Sequence, residues 1–199
     1  MTTFVLATHN AHKVDELRRI LGERLGHHQL IGYDGPEPVE DADTFEGNAL
    51  IKARAAAVFT GLPAIADDSG IAVDALGGAP GIHSARYAGS RDDGDNLRLL
   101  LTNMRGVTDR RAQFVCAAAL VDVAAVDAGS PFEHTERGTW PGSVLEAPAG
   151  SGGFGYDPIF RPDGLAVSSA ELTADEKNAQ SHRALAFGLL VTVLRRRYG

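Results

Sequence analysis

Thr8-His9-Asn10-Ala11-His12-Lys13 gathers a hydroxyl, an amide and a lysine where the short apolar run Phe4-Val5-Leu6-Ala7 gives way to Val14, Leu17, Ile20 and Leu21 at helical spacing. A strand feeding a helix in this way presents backbone N–H groups at the first helical turn, and such an end attracts phosphate. Lys13 sharpens this reading, because a cation in a first turn opposes the helix dipole and is well placed there when an anion sits between them. A capped helix with a solvated lysine would have the same sequence. The segment lacks the spaced glycines and Lys-Ser/Thr ending of a Walker loop.

Asp67-Asp68-Ser69-Gly70 follows the apolar stretch Pro63 to Ala66, so its carboxylates can bind a hard cation such as Mg²⁺ or orient a water. A polar turn closing a strand is the plainer alternative. The acidic stretch Glu37 to Asp43 could supply a second carboxylate, and Glu40 is the candidate within it. Gly150-Ser151-Gly152-Gly153-Phe154-Gly155 matches a dinucleotide-binding glycine pattern in letters only, because Asp157-Pro158 stands where the helix should start. It reads better as a loop whose glycines admit a planar ligand, with Phe154 as a stacking face. Lys177 and Ser181-His182-Arg183 concentrate hydrogen-bond donors. Donors select a keto oxygen, whereas an amino group at the same position would leave buried groups unpaired.

The elements that must carry these groups interleave. Asp43-Thr44-Phe45-Glu46 reads as a capping box opening an Ala-rich helix that Gly61 can end, and Ile71 to Leu76 reads as a strand separate from Pro63–Ala66. Leu97, Leu100, Leu101 and Met104 mark another helix. Phe114 to Val123 and Phe132 to Trp140 are longer strands joined by a polar link at Asp127 to Pro131, and Leu185, Leu189 and Val193 form a stripe on a last helix that ends in Arg195 to Arg197. This alternation predicts an α/β protein with a mixed sheet.

Composition bounds the function. The chain has 199 residues, 44% hydrophobic and 23% charged, with a formal net charge of −7 that opposes a broad nucleic-acid surface. No membrane span or leader pattern is visible, so a cytoplasmic protein is expected. The single cysteine, Cys116, excludes zinc sites built on paired thiolates and lies in an apolar run that predicts a core position. Lysine is rare, at Lys13, Lys52 and Lys177 among 19 basic residues.

Taken in order, Thr8-x-Asn10-x-x-Lys13, Ala66-Asp67-Asp68-Ser69-Gly70, Gly77-Gly78-x-Pro80-Gly81-x-x-Ser84-Ala85-Arg86-Tyr87, Gly152-Gly153-Phe154-Gly155-Tyr156-Asp157-Pro158 and Ser181-His182-Arg183 resemble the inosine triphosphate pyrophosphatase family, the non-canonical purine (dITP/XTP) pyrophosphatases. His12 departs from the glycine found in many bacterial members. The resemblance implies one domain over residues 1–199, with a long central mixed β-sheet shared by two α/β lobes and the active-site cleft between them. It implies Mg²⁺-dependent hydrolysis of ITP, dITP and XTP to the monophosphate and pyrophosphate, in a homodimer. By matching positions it assigns Thr8, His9, Asn10, Ala11, His12, Lys13 and Lys52 to the phosphates, and Glu40 and Asp68 to the metal. Asp68 also takes the catalytic water, and Ser69 a substrate contact. Phe154, Gly155, Tyr156, Asp157, Lys177, His182 and Arg183 fall to the base pocket. A pyrophosphatase for modified pyrimidine nucleotides and a non-catalytic nucleotide sensor are the competing expectations.

Overall fold

The computed structural model describes residues 1–127 and 129–199. The β-strands are β1 (Thr3–Leu6), β2 (Gln29–Gly32), β3 (Ala64–Val73), β4 (Arg111–Asp127), β5 (Ser130–Val144) and β6 (Phe160–Pro162). The α-helices are α1 (Ala11–Leu21), α2 (Phe45–Thr60), α3 (Asp93–Asn103), α4 (Ala174–Asn178) and α5 (His182–Tyr198). The strands form one sheet in the order β2-β1-β3-β4-β5-β6. It is mixed, as expected: β1 runs parallel to β2 and β3, whereas β5 and β6 are antiparallel.

The chain divides into two compact units, the first from Met1–Asp68, Cys116–Gly138 and Arg183–Gly199, the second from Ser69–Val115 and Thr139–His182. Strands β3, β4 and β5 therefore contribute residues to both. In the first unit, Phe4, Leu6 and Ile65 of the sheet pack with Leu17 and Leu21 of α1 and Phe187 and Leu190 of α5. Cys116 belongs to this core and is fully buried. In the second, Ile71, Leu100, Met104, Phe114, Trp140 and Phe160 pack together.

Helix α1 starts where the spacing of Val14, Leu17, Ile20 and Leu21 places it, with the Asn10 side chain accepting from the Lys13 N–H at 3.2 Å. Helix α2 begins one residue later than the capping-box reading. Thr44, not Asp43, is the cap, and its hydroxyl accepts from Gly47 N–H at 3.0 Å. Gly61 ends α2 in the left-handed conformation, φ 68°, where a side chain would be strained. Small residues on one face, Ala49, Ala53, Ala56 and Ala57, are fully buried, and the helix is also tied to β5 by Arg54–Glu133 (2.6 and 2.7 Å) and Arg137–Glu46 (2.9 Å).

Three expectations need correction. Asp67-Asp68-Ser69-Gly70 is not a turn: β3 runs unbroken through it, and Ile71 begins no new strand. The flanking apolar residues on both sides extend the ladder across the polar four, whose side chains alternate between faces. Leu185 and Leu189, on the stripe read from α5, are 47% and 49% exposed; the buried side of the helix is Ala186, Phe187, Leu190 and Leu194. The long strands also extend beyond their sequence bounds, and the link between them falls partly on residue 128, which lies outside the described residues.

Candidate active site

Adjacent residues of a strand point to opposite faces, and this separates Asp67 from Asp68. Asp67 is buried, and its Oδ2 accepts from Lys13 Nζ at 3.0 Å and from Arg183 Nε and Nη2 at 3.3 Å each. Arg183, 2% exposed, also donates from Nη1 to Glu16 Oε2 at 2.7 Å. Burial alone would raise the Asp67 pKa, but the charges of Lys13, Arg183 and Lys52 outweigh it and hold the carboxyl far below the usual carboxylate range.

Asp68 faces helix α2. Asn48 and Lys52 are one turn apart on that helix, and spacing of this kind puts both on one side. Asn48 Nδ2 donates to Asp68 Oδ2 at 3.2 Å, while Lys52 Nζ lies 3.4 Å from Asp68 Oδ1 and 2.8 Å from Glu40 Oε2. Here burial dominates, and the Asp68 pKa is raised despite Lys52 and Lys13, with Glu40 and Asp67 adding to the rise. Burial also opposes the charge on Lys52, yet Asp68, Asp67 and Glu40 together raise its pKa. Neighbouring carboxyls driven in opposite directions separate roles: Asp67 is locked as a counter-ion, and Asp68 keeps affinity for a proton.

Among the described residues, no group of three or more His, Cys, Asp or Glu side chains is placed to hold a metal ion. Glu40 and Asp68 nevertheless converge on one cation, the Lys52 ammonium. Mg²⁺ is commonly held by one or two carboxylates, with substrate phosphates and waters completing its shell, so this pair fits it.

The remaining phosphate candidates lie at the start of α1. Thr8 Oγ1 accepts from Asn10 N–H at 3.2 Å, and His9 Nδ1 is 3.2 Å from Glu37 Oε1, with its ring tilted 5.5 Å from Tyr33. Ala11 and His12 occupy the first turn. Lys13 leaves that turn to reach Asp67, which accounts for a cation at the positive end of the helix without invoking a bound anion.

In the second unit, the candidates from the glycine-rich loop and α4 are built around Asp157. This residue is 2% exposed; its Oδ2 accepts from Phe154 N–H at 2.9 Å and Lys177 Nζ at 2.5 Å, and its Oδ1 accepts from Ser169 Oγ at 2.8 Å. A Cβ at Gly153, which has φ 69°, would overlap the Asp157 carboxylate, so glycine is required there. The Lys177 ammonium sits 5.1 Å from the centre of the Phe154 ring. Gly155 N–H donates to Asp93 at 2.8 Å, and buried Tyr156 donates its hydroxyl to the Ser84 carbonyl at 2.8 Å. His182 is stacked on Phe114 at 4.8 Å and 15°. Ser69 is half-buried on β3.

Thus Lys13, Lys52, Glu40 and Asp68 gather in the first unit, and Phe154, Asp157, Lys177 and His182 belong to the second. Arg183 parts from its neighbours in the sequence motif, because its guanidinium joins Asp67 and Glu16 in the first unit. Asn48 and Ser169 escape the sequence reading. Asn48 carries a signal in hindsight, four residues before a rare lysine on a capped helix; Ser169 carries none.

The Ham1 family model matches residues 4–193. The chain belongs to the Ham1 family. This Ham1 chain is 54% identical over 200 residues to the dITP/XTP pyrophosphatase of Leifsonia xyli, with 98% of this chain and 96% of the relative covered. It is 51% identical to the dITP/XTP pyrophosphatase of Streptomyces coelicolor, with both chains covered in full. Its fold matches a HAM1 protein from Coxiella burnetii with a TM-score of 0.87 at 40% identity, covering 98% of this chain and 100% of that one. A dITP/XTP pyrophosphatase from Mycobacterium abscessus matches with a TM-score of 0.75 at 42% identity, over 94% and 98% of the two chains.

Proposed function

We propose that this Ham1 protein hydrolyses ITP, dITP and XTP to the nucleoside monophosphate and pyrophosphate with Mg²⁺, acting as a cytoplasmic homodimer that clears deaminated purines from the nucleotide pool. The reading rests above all on the two aspartates of β3, one held as a carboxylate by Lys13 and Arg183, the other raised in pKa beside Lys52 and Glu40. Bound by Glu40, Asp68 and the phosphates, Mg²⁺ would neutralise charge on the polyphosphate.

The chain's own groups do the rest. The N–H groups and side chains from Thr8 to Lys13, with Lys52, hold the triphosphate. Asp68 accepts a proton from the water that attacks the α-phosphorus, which makes the leaving pyrophosphate a product in one step. The base stacks on Phe154, and donors from Lys177 and the motif at His182 favour a 6-keto oxygen over the 6-amino group of adenine. Guanine shares the 6-keto group, so its rejection must act at the 2-amino substituent.

Hydrolysis of ITP in ¹⁸O-labelled water tests the chemistry. Label is expected in IMP; label confined to pyrophosphate would place attack at the β-phosphorus and overturn the role of Asp68. Equal turnover of ITP and ATP would overturn keto selection.

A further inference from the structure

Asn48 is 1% exposed and joins two pieces of chain that carry the proposed metal carboxylates. Its Nδ2 donates to Asp68 Oδ2 at 3.2 Å, and its Oδ1 accepts from Ala42 N–H at 3.0 Å, two residues beyond Glu40. The amide cannot be turned over without loss: Ala42 N–H is only a donor and an ionised Asp68 only an acceptor, so each end of the side chain has one workable partner. Helix α2 fixes the backbone of Asn48 together with that of Lys52, which meets the same two carboxylates, Glu40 and Asp68. The contact with Asp68 Oδ2 leaves Asp68 Oδ1 directed toward Lys52, and the contact with Ala42 sets where Glu40 stands relative to it.

We propose that Asn48 is a positioning residue for the reaction, orienting the Asp68 carboxylate and anchoring the Glu40 loop so that the two carboxylates face one cation. The inference rests on the reading above for the reaction but not for the purine base. Its signature is a loss in catalysis and metal response without a loss in nucleotide recognition, because no base-directed group belongs to this contact.

Asn48→Ala and Asn48→Leu, which keeps the branched shape of the side chain but none of its polar atoms, test it, with Asn96→Ala as the structural control. Asn96 is equally buried, and its amide makes three hydrogen bonds of 2.7 to 3.3 Å, to Ala88, Ala85 and Ser90 in the second unit. Both Asn48 variants are expected to lower kcat about 10- to 100-fold and raise the Mg²⁺ concentration for half-maximal rate several-fold, with KM for ITP and the ITP/ATP ratio kept within about twofold. Asn96→Ala should lower Tm and leave the Mg²⁺ response alone. Crystal structures of the metal-free parent and variants give a readout independent of turnover: the parent should show the amide on Asp68 and Ala42, and the variants a rotated Asp68 or a shifted Glu40. Unchanged kcat and Mg²⁺ response in a folded Asn48 variant, or a parent crystal lacking either contact, would overturn the proposal. If the parent prefers a different nucleotide, the purine reading fails while the same comparisons, made with that nucleotide, still decide Asn48.

Discussion

At the scale of single residues, Asp67 and Asp68 are chemically identical, and their surroundings make them opposites. Lys13 and Arg183 ion-pair with Asp67, so Asp67→Asn leaves buried Arg183 and half-buried Lys13 short of a counter-ion and should cost about 3–5 kcal/mol of stability. Asp68 has a raised pKa from burial, so any stability it contributes is present below the ordinary carboxylate range and is lost as pH rises through the raised value. At neutral pH its charge works against the fold. Asp68→Asn should therefore keep or raise Tm while reducing ITP turnover by roughly 10²- to 10⁴-fold, with nucleotide binding retained. Thermal melts and initial rates on the two variants check the contrast; a Tm loss in Asp68→Asn equal to that in Asp67→Asn would remove it. The sequence supplied the residue types, and nothing in two consecutive aspartates states which one meets a guanidinium from residue 183. That distinction arises from strand alternation together with a partner 116 positions away along the chain.

At the scale of elements, local rules were most legible where a helix end has its own chemistry. Gly61 at the end of α2 and the arginines in the last turn of α5 fall where capping and dipole arguments put them, whereas Asn10, read as part of a turn, proves to cap α1. The same local rules misread β3, because Asp, Ser and Gly favour turns in isolation, and sheet pairing overrode that preference. They also misread α5: apolar residues occur on both sides of that helix, so its pattern did not reveal which stripe is covered. Gly70 shows why β3 carries a glycine mid-strand. A Cβ there would overlap the hydroxyl of Ser84 and the carbonyl of Gly81, the hydroxyl that accepts from Ile71 N–H at 3.0 Å. Gly70→Ala should destabilise by about 1–3 kcal/mol, measured by denaturant unfolding, and an unchanged midpoint would show that the Gly81–Ser84 turn yields freely.

At the scale of the whole molecule, the α/β class and mixed sheet follow from the order of elements, and the motifs from the resemblance to a family spread over the chain. The short strands β2 and β6 were illegible for different reasons: β2, four residues long, is largely exposed and has no buried apolar face, and β6 alternates buried Phe160, exposed Arg161 and buried Pro162 over only three residues, too few to register as a period. Among the described residues no helix is long and apolar enough to cross a membrane.

The one thiol of the chain sits on β4 in the core of the first unit, 4.0 Å from the Asp67 carboxylate. Burial and that neighbouring negative charge push its pKa well above that of a free cysteine, so the reactive thiolate is suppressed as long as the strand stays closed. Cys116 is thereby a native clock. A maleimide added to the folded protein should react only as fast as the core opens, and nucleotide that engages Lys13 and Lys52 should slow the label. Prompt alkylation in buffer would mean that the heart of the first unit breathes far more than its packing implies.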